Sequence, residues 1–252
     1  MEKTELERRL TEFNGRIDEA FRFSFPVRDP DLQQRAADDL AKYLETLEAE
    51  REKLRDQNDS DAANIFLGLC CYARSVIRLL HMWIAIRNDA PNEGWEALIN
   101  AQTSACAAMR AHEMCSHHMR SYANHLDLLE HVIFPSQQFV SASFVLKSSK
   151  CSLCGSRFHE CDHIAGFPYN GEFCSEIIDE VGAIDHVALV DHPYDKRCRT
   201  TSYSENGYNV DTFTLRRTKR EDGDESNNKF EALIMKESRE FKSEVQRIIL
   251  VE

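Results

Sequence analysis

Four cysteines and two histidines lie close together in the segment CSLCGSRFHECDHIAGFPYNGEFC, which begins at Cys151, and His159 is a weaker candidate ligand than His163. Cys151 and Cys154 form a CxxC pair, and the glycine that follows favours the tight turn that directs two thiolates at one ion. Cys161, His163 and Cys174 supply three further donors. Thiolates are soft ligands and imidazole is of intermediate softness, so this mixture favours Zn²⁺ over Mg²⁺ or Ca²⁺. The segment is therefore predicted to bind zinc.

The five donors exceed the four positions of a tetrahedral zinc site, and the sequence leaves open which four bind. Cys161 and His163 are two residues apart, so both can bind one ion only if the chain turns between them. Otherwise one of the donors contacts the ligands without binding the ion. Cysteine-rich sites are mostly closed and structural, whereas a catalytic zinc keeps a position open for water. We therefore expect a structural site.

The same segment supports a resemblance. CxxCG, ECxHxxG and YxGxxC, followed by HVALVDHP and DKRCR, resemble a zinc-motif region of uncharacterised bacterial and phage-linked proteins, over roughly residues 134–201. The resemblance implies a metal-binding module and a bacterial protein, with a phage-linked or defence system as its context. It implies no activity.

A second group of polar residues follows one stripe of an apolar helix: Arg74, Arg78 and His81. Buried charges need partners. One interpretation is that acidic residues of a neighbouring helix pair with this stripe for structure. The other is an anion pocket inside the bundle that binds a nucleotide or a phosphate.

A third group includes Arg120 and His125, which fit the spacing Arg-x4-His. This spacing resembles the motif of HEPN ribonucleases, although Ser121 departs from the larger polar residue that often follows the arginine there. The resemblance implies a helical bundle that dimerises to form its active site, with His125 as general acid or base and Arg120 stabilising the phosphate transition state. The alternative is a solvated helix face.

The elements that position these residues are helical in the first half and β-rich in the second. Amphipathic periodicity and breakers predict helices over 2–22, 31–57, 62–86, from Pro91 onwards and over 117–133. Cys106 is expected on a buried stripe of the fourth helix. Strands are predicted over 139–146, 185–190, 200–203, 209–216 and 229–235. The pattern of 237–251 fits a helix or a strand, and the helix is favoured. The fold class is therefore α+β: a helical bundle over 1–135 and a small β-rich zinc-binding module over 136–252.

The composition of the chain disfavours some classes of function and some cellular locations. The formal net charge of −12 disfavours sequence-independent binding of nucleic acid. The basic run from Arg216 to Arg220 precedes an acidic run, which favours a solvated turn. Residues 1–20 are charged throughout, so a reducing cytoplasmic location is expected for the nine cysteines. The apolar stretch 62–86 is interrupted by charges, which favours a buried helix over a membrane span.

Two classes of function follow. The first is a zinc-stabilised interaction or scaffold protein, whose partner is another protein or a second copy of the chain. The second is a metal-independent ribonuclease that uses Arg120 and His125. A zinc hydrolase would need an open coordination position.

Overall fold

The computed structural model describes residues 3–220, 229–233 and 247–251. It confirms the α+β class, with helices in the first half and small sheets in the second. The helices are α1 Lys3–Phe21, α2 Pro30–Asp56, α3 Ser60–Arg87, α4 Pro91–Ala111 and α5 Glu113–Ile133. The strands are β1 Phe139–Cys151, β2 Pro168–Tyr169, β3 Glu172–Phe173, β4 Glu176–Val190, β5 Thr200–Glu205, β6 Tyr208–Asp211, β7 Arg217–Lys219, β8 Lys229–Leu233 and β9 Arg247–Val251.

Helix α3 is the centre of the bundle, and α2 and α4 pack along it. Both α2 and α3 begin where an aspartate accepts hydrogen bonds from the first-turn amides: Asp29 caps α2 and Asp59 caps α3. Leu79 and Leu80 of α3 are completely buried. The hydroxyl of Ser75 lies 3.2 Å from that of Tyr122, which links α3 to α5 within the core.

Among the described helices, α3 alone is long and apolar enough to cross a membrane, judged by length and composition. In its most apolar window, 78% of the residues are buried inside the protein. The core helix of a helical bundle meets the same criteria, so this helix is weak evidence for a membrane span.

The chain divides into two compact units. The first comprises Met1–Glu130 and Ser149–Ile177, and the second comprises His131–Ser148 and Ile178–Glu252. The cysteine-rich segment therefore belongs to the unit that contains the helices, whereas the boundary expected at residue 135 assigns it to the β-rich part. Its contacts with α2 and α3, described below, join residues more than one hundred positions apart, which local sequence patterns do not reveal.

Seven of the nine strands given above form two sheets, and β2 and β3 form a short hairpin of their own. Strands β1 and β4 pair as a long two-stranded ribbon, and the other sheet has the order β7-β6-β5-β8-β9. Neighbouring strands in the five-stranded sheet run antiparallel to each other. Arg199, at the start of this sheet, is 2% exposed, and its guanidinium lies 3.8 Å from the centre of the Phe213 ring.

Four expectations for individual segments were wrong. The strand predicted over 209–216 ends at Asp211, because the side chain of Asp211 accepts hydrogen bonds from the amides of Phe213 and Thr214 and turns the chain. Part of the basic run forms edge strand β7 instead of a turn. Residues 247–251 form β9 instead of a helix, and 237–246 lie outside the described residues. Cys106 is exposed.

Candidate metal centre

The donor atoms of Cys151, Cys154, Cys161 and His163 all lie within 4.8 Å of one another. Cys151 is buried and Cys154 is exposed, so one side of the cluster faces the interior and the other faces solvent. Three thiols and an imidazole at such separations can hold a metal ion. The turn that the spacing between Cys161 and His163 requires is present, because both residues contribute to the same cluster.

A tight turn at the end of β1 positions the first two cysteines. The amide of Cys151 donates to the carbonyl of Ser156 (2.9 Å), and the amide of Gly155 donates to the carbonyl of Cys151 (3.0 Å). Gly155 has φ +71°, a conformation that glycine adopts readily. The amide of Leu153 points at the sulfur of Cys151 (3.4 Å). These contacts are the physical reason why CxxCG directs both thiols to one point.

His163 is oriented by an aromatic neighbour. Its Nδ1 lies 3.7 Å from the sulfur of Cys151. Its ring packs edge-on against Tyr169, with ring centres 4.7 Å apart, and the Tyr169 hydroxyl accepts a hydrogen bond from the amide of Ile164 (3.0 Å). Tyr169 therefore restricts the imidazole to the side of the cluster where it meets Cys151.

Cys174 is the fifth donor, and it lies outside the group of four. Its sulfur is 3.6 Å from the sulfur of Cys151, and its side chain is buried. The main chain holds it rigidly, since its amide donates to Phe167 (2.9 Å) and its carbonyl accepts from Gly166 (2.8 Å). The structure thus brings all five predicted donors together, with four in one group and Cys174 in contact with Cys151.

The two touching thiols differ in acidity. Burial opposes ionisation of Cys151, but hydrogen bonds from the backbone at Cys154 and Leu153 outweigh it and lower the pKa of Cys151 to about 7. Burial, together with the neighbouring Cys151 thiolate, raises the pKa of Cys174 to about 11.

A short hairpin fixes the cysteine-rich segment to the helices. Strands β2 and β3 are joined by Asn170 and Gly171, both at positive φ, as a two-residue hairpin turn requires. The amide of Gly171 donates to Asn64 of α3 (2.7 Å), and the side-chain amide of Asn170 donates to the carbonyl of Arg55 in α2 (3.3 Å). Arg55 also forms an ion pair with Glu172 (2.6 Å). The Asn-Gly dipeptide is a sequence signal for this turn, but nothing local in the sequence identifies Asn64 and Arg55 as its partners.

Of the three carboxylates closest in sequence to the cluster, Asp162 is exposed, and Glu160 and Glu172 have other partners. Glu172 pairs with Arg55 (2.6 Å), and Glu160 lies 3.6 Å from Arg157 and 3.5 Å from His159. His159 is exposed. None of these residues belongs to the four-residue group, which contains only sulfur and imidazole donors.

The basic stripe of α3 is divided between two surroundings. Arg74 donates a hydrogen bond to Glu48 of α2. Arg78 and His81 line a cavity of about 320 Å³ together with Glu93 and Glu96 of α4. Burial, and then the neighbouring Arg78, lower the pKa of His81. The cavity thus presents carboxylates as well as cations, and an anion would meet both.

Arg120 and His125 lie on one continuous helix, α5. Five helical residues correspond to a rotation of about 140° around the axis, so the two side chains leave the helix in different directions. Arg120 is exposed, whereas the ring of His125 packs edge-on against Phe21, with ring centres 6.3 Å apart. The helix does not bring these two residues together, and their role in a ribonuclease stays a prediction.

Comparison with known proteins adds no relative: no protein-family model matches the chain, and no significant match is found among curated proteins or among solved structures.

We expect Gly171→Ala to destabilise the docked hairpin by about 2–3 kcal/mol, because two costs combine. Gly171 has φ +78°, and a methyl group there would lie 3.0 Å from the side chains of both Ala63 and Arg55. Gly166→Ala is the matched control: Gly166 has φ +80° but no neighbouring atom within 4 Å of an added methyl group. Hydrogen exchange of the amides in β2 and β3 measures the difference. Equal protection in the two variants would contradict the close approach of this turn to the helices.

Proposed function

We propose that this chain is a zinc-stabilised interaction protein, in which a closed structural metal site fastens the cysteine-rich segment to the helical bundle. The proposal rests mainly on the coincidence of the four-donor cluster with the hairpin that docks on α2 and α3. The cluster begins at the end of β1, and the hairpin that follows His163 in the chain carries Tyr169, whose ring packs against that of His163. An ion that fixes His163 therefore also stabilises the hairpin through Tyr169.

Zn²⁺ is the proposed ion because three thiols and one imidazole match its preferred donors and fill a tetrahedral shell. A filled shell leaves no position for water or substrate. Two of the three neighbouring carboxylates, Glu160 and Glu172, pair with other side chains, which leaves them less available as bases for a hydrolytic reaction.

The proposed partner surface is the β1–β4 ribbon. Both strands carry exposed apolar side chains: Val145, Leu146, Ile178, Val181 and Leu189 are between 39% and 54% exposed. Among the described strands, neither β1 nor β4 pairs with a third strand, and β1 forms single bridges only near its ends, at Phe139 and Lys150, so the middle of each outer edge can accept another strand. A second copy of the chain offers the same ribbon and edge, so we propose self-association through it.

Two measurements test the proposal. Elemental analysis of the purified chain should find zinc in a one-to-one ratio with protein, and its absence, with no uptake of added zinc, would refute the metal part.

Sedimentation velocity should show a dimer that Val181→Lys converts to a monomer, because a charge on an exposed ribbon opposes strand pairing. Val27→Lys is the control, since Val27 is 82% exposed but lies between α1 and α2. A monomeric wild-type chain would refute self-association.

A further inference from the structure

The cysteine-rich segment holds one more buried thiol than the four-donor group uses. Cys174 is 1% exposed and lies outside the group, yet its sulfur is 3.6 Å from that of Cys151, which belongs to it. A buried apolar side chain would fill this position without being chemically reactive. A thiol in contact with a metal-binding thiolate instead provides a reaction partner for that sulfur.

We propose that Cys151 and Cys174 form a redox modification site, in which hydrogen peroxide joins the two sulfurs in a disulfide and the metal ion is released. This inference rests on the proposed metal site. In this proposal the metal site has a second, oxidised and metal-free state, which peroxide forms and a thiol reductant reverses.

The chemistry needs only peroxide as oxidant. The Cys151 thiolate attacks one peroxide oxygen, so that the O–O bond breaks and a sulfenic acid and hydroxide form. The sulfur of Cys174 then attacks the sulfur of the sulfenic acid, the S–O bond breaks, and a second hydroxide leaves. The thiol proton of Cys174 and one proton from solvent convert the hydroxides to water. Two electrons pass from the sulfurs to peroxide, and the ion leaves with its charge unchanged.

The geometry favours this pair over a disulfide between two metal ligands. Cys174 is the thiol outside the four-donor group, so it can attack without first leaving the ion. Its main-chain hydrogen bonds to Phe167 and Gly166 keep it beside Cys151. Cys154 is exposed and its sulfur belongs to the same cluster as that of buried Cys151, so peroxide meets the cluster from its Cys154 side.

The reaction has a structural consequence within the helical unit. Cys151 ends β1, and Cys174 follows β3, so the two strands stay linked when the ion leaves. The third and fourth donors, Cys161 and His163, lose their common partner. We then expect faster exchange of amide hydrogens in the loop that joins His163 to the docked hairpin, while the core of α3 stays protected.

The experiment uses the full-length, zinc-loaded chain exposed to hydrogen peroxide. Zinc release is followed with a chromogenic chelator, and disulfides are mapped by peptide mass spectrometry. We expect zinc to be released together with a Cys151–Cys174 disulfide, and a dithiol reductant with added zinc to restore the loaded protein. Cys174→Ser should still bind zinc but release it about tenfold more slowly, since no thiol remains to trap the sulfenic acid. Cys106→Ser, which removes an exposed helical thiol, should behave as the wild type does.

The outcomes separate the two proposals. A wild-type chain that binds no zinc would overturn the proposed metal site itself. If zinc binds, then release at an unchanged rate in Cys174→Ser, or a disulfide between Cys151 and Cys154, would overturn the redox site alone. Loss of zinc binding in a folded Cys174→Ser or Cys174→Ala variant would show that Cys174 is a ligand, and would also overturn it. If neither variant folds, the disulfide mapped in the wild-type chain decides.

Discussion

We expect the Cys151→Ser variant to lose its metal ion, with zinc affinity reduced more than 100-fold. The sulfur of Cys151 lies close to both His163 (3.7 Å) and Cys174 (3.6 Å), so it is central among the donors. Serine offers a harder oxygen that binds Zn²⁺ poorly when uncharged. Mutation of residues that merely orient a ligand already costs about 10–100-fold in affinity, and loss of a ligand should cost more.

The same variant should loosen one part of the helical unit. Structural zinc sites contribute on the order of 10 kcal/mol of apparent binding free energy in small zinc domains, and that energy is coupled to folding. Without the ion, we expect amides of 151–174 to lose protection against hydrogen exchange, while the buried core of α3 keeps it. Treatment of the wild type with a chelator should reproduce the pattern.

Cys106→Ser is the matched control, because Cys106 is an exposed thiol on α4, remote in sequence from the cluster. It should bind zinc with unchanged affinity. A Cys151→Ser protein with wild-type metal content and unchanged exchange in 151–174 would contradict the assignment of Cys151 as a ligand.

The second large effect is expected in the other unit: Arg199→Ala should destabilise the five-stranded sheet by about 3 kcal/mol. The Arg199 side chain is almost fully buried, and one guanidinium nitrogen lies within hydrogen-bond distance of Gln137 (3.2 Å), the carbonyl of Thr200 (2.9 Å) and Thr212 (3.0 Å). The guanidinium also stacks on Phe213. Alanine would leave a cavity and several buried acceptors without their donor.

Burial lowers the pKa of Arg199 to about 10, so the side chain remains charged at neutral pH. Arg199→Lys keeps a charge but loses the planar group that stacks on a ring and donates in several directions. We therefore expect this variant to lie between wild type and Arg199→Ala in stability.

Hydrogen exchange of the amides in β5 and β6 measures the effect within this unit. Arg217→Ala is the control, because Arg217 is exposed and pairs with exposed Glu205 (2.5 Å), a type of ion pair that contributes about 0–1 kcal/mol. Similar losses in Arg199→Ala and Arg217→Ala would show that burial of Arg199 adds nothing to the stability of the sheet.

Local patterns predicted much of this structure because they act over a few residues. Helix periodicity and the caps at Asp29 and Asp59 define the helices, and CxxCG defines the turn that brings Cys151 and Cys154 together. These features depend on neighbours in sequence, so a single sequence reveals them.

The features that the sequence did not reveal depend on distant contacts or on competing side-chain bonds. Helical periodicity placed Cys106 on a buried stripe, but a segment rich in small residues leaves the width of the buried face undefined. The apolar residues of 209–216 resemble a strand, yet the carboxylate of Asp211 bonds two following amides and ends it. The docking of Gly171 on Asn64 joins residues 107 positions apart.

The helical unit is discontinuous in sequence, and this affects the order in which it can be completed during synthesis. Residues up to Glu130 leave the ribosome first, but Ser149–Ile177 belongs to the same unit and follows only after 131–148. Until then, Asn64 and Arg55 have no hairpin to bind, and the nascent bundle exposes the surface that Gly171 later covers. A fragment that stops after α5 would keep that surface exposed permanently, so the smallest recombinant piece able to represent this unit extends to residue 177.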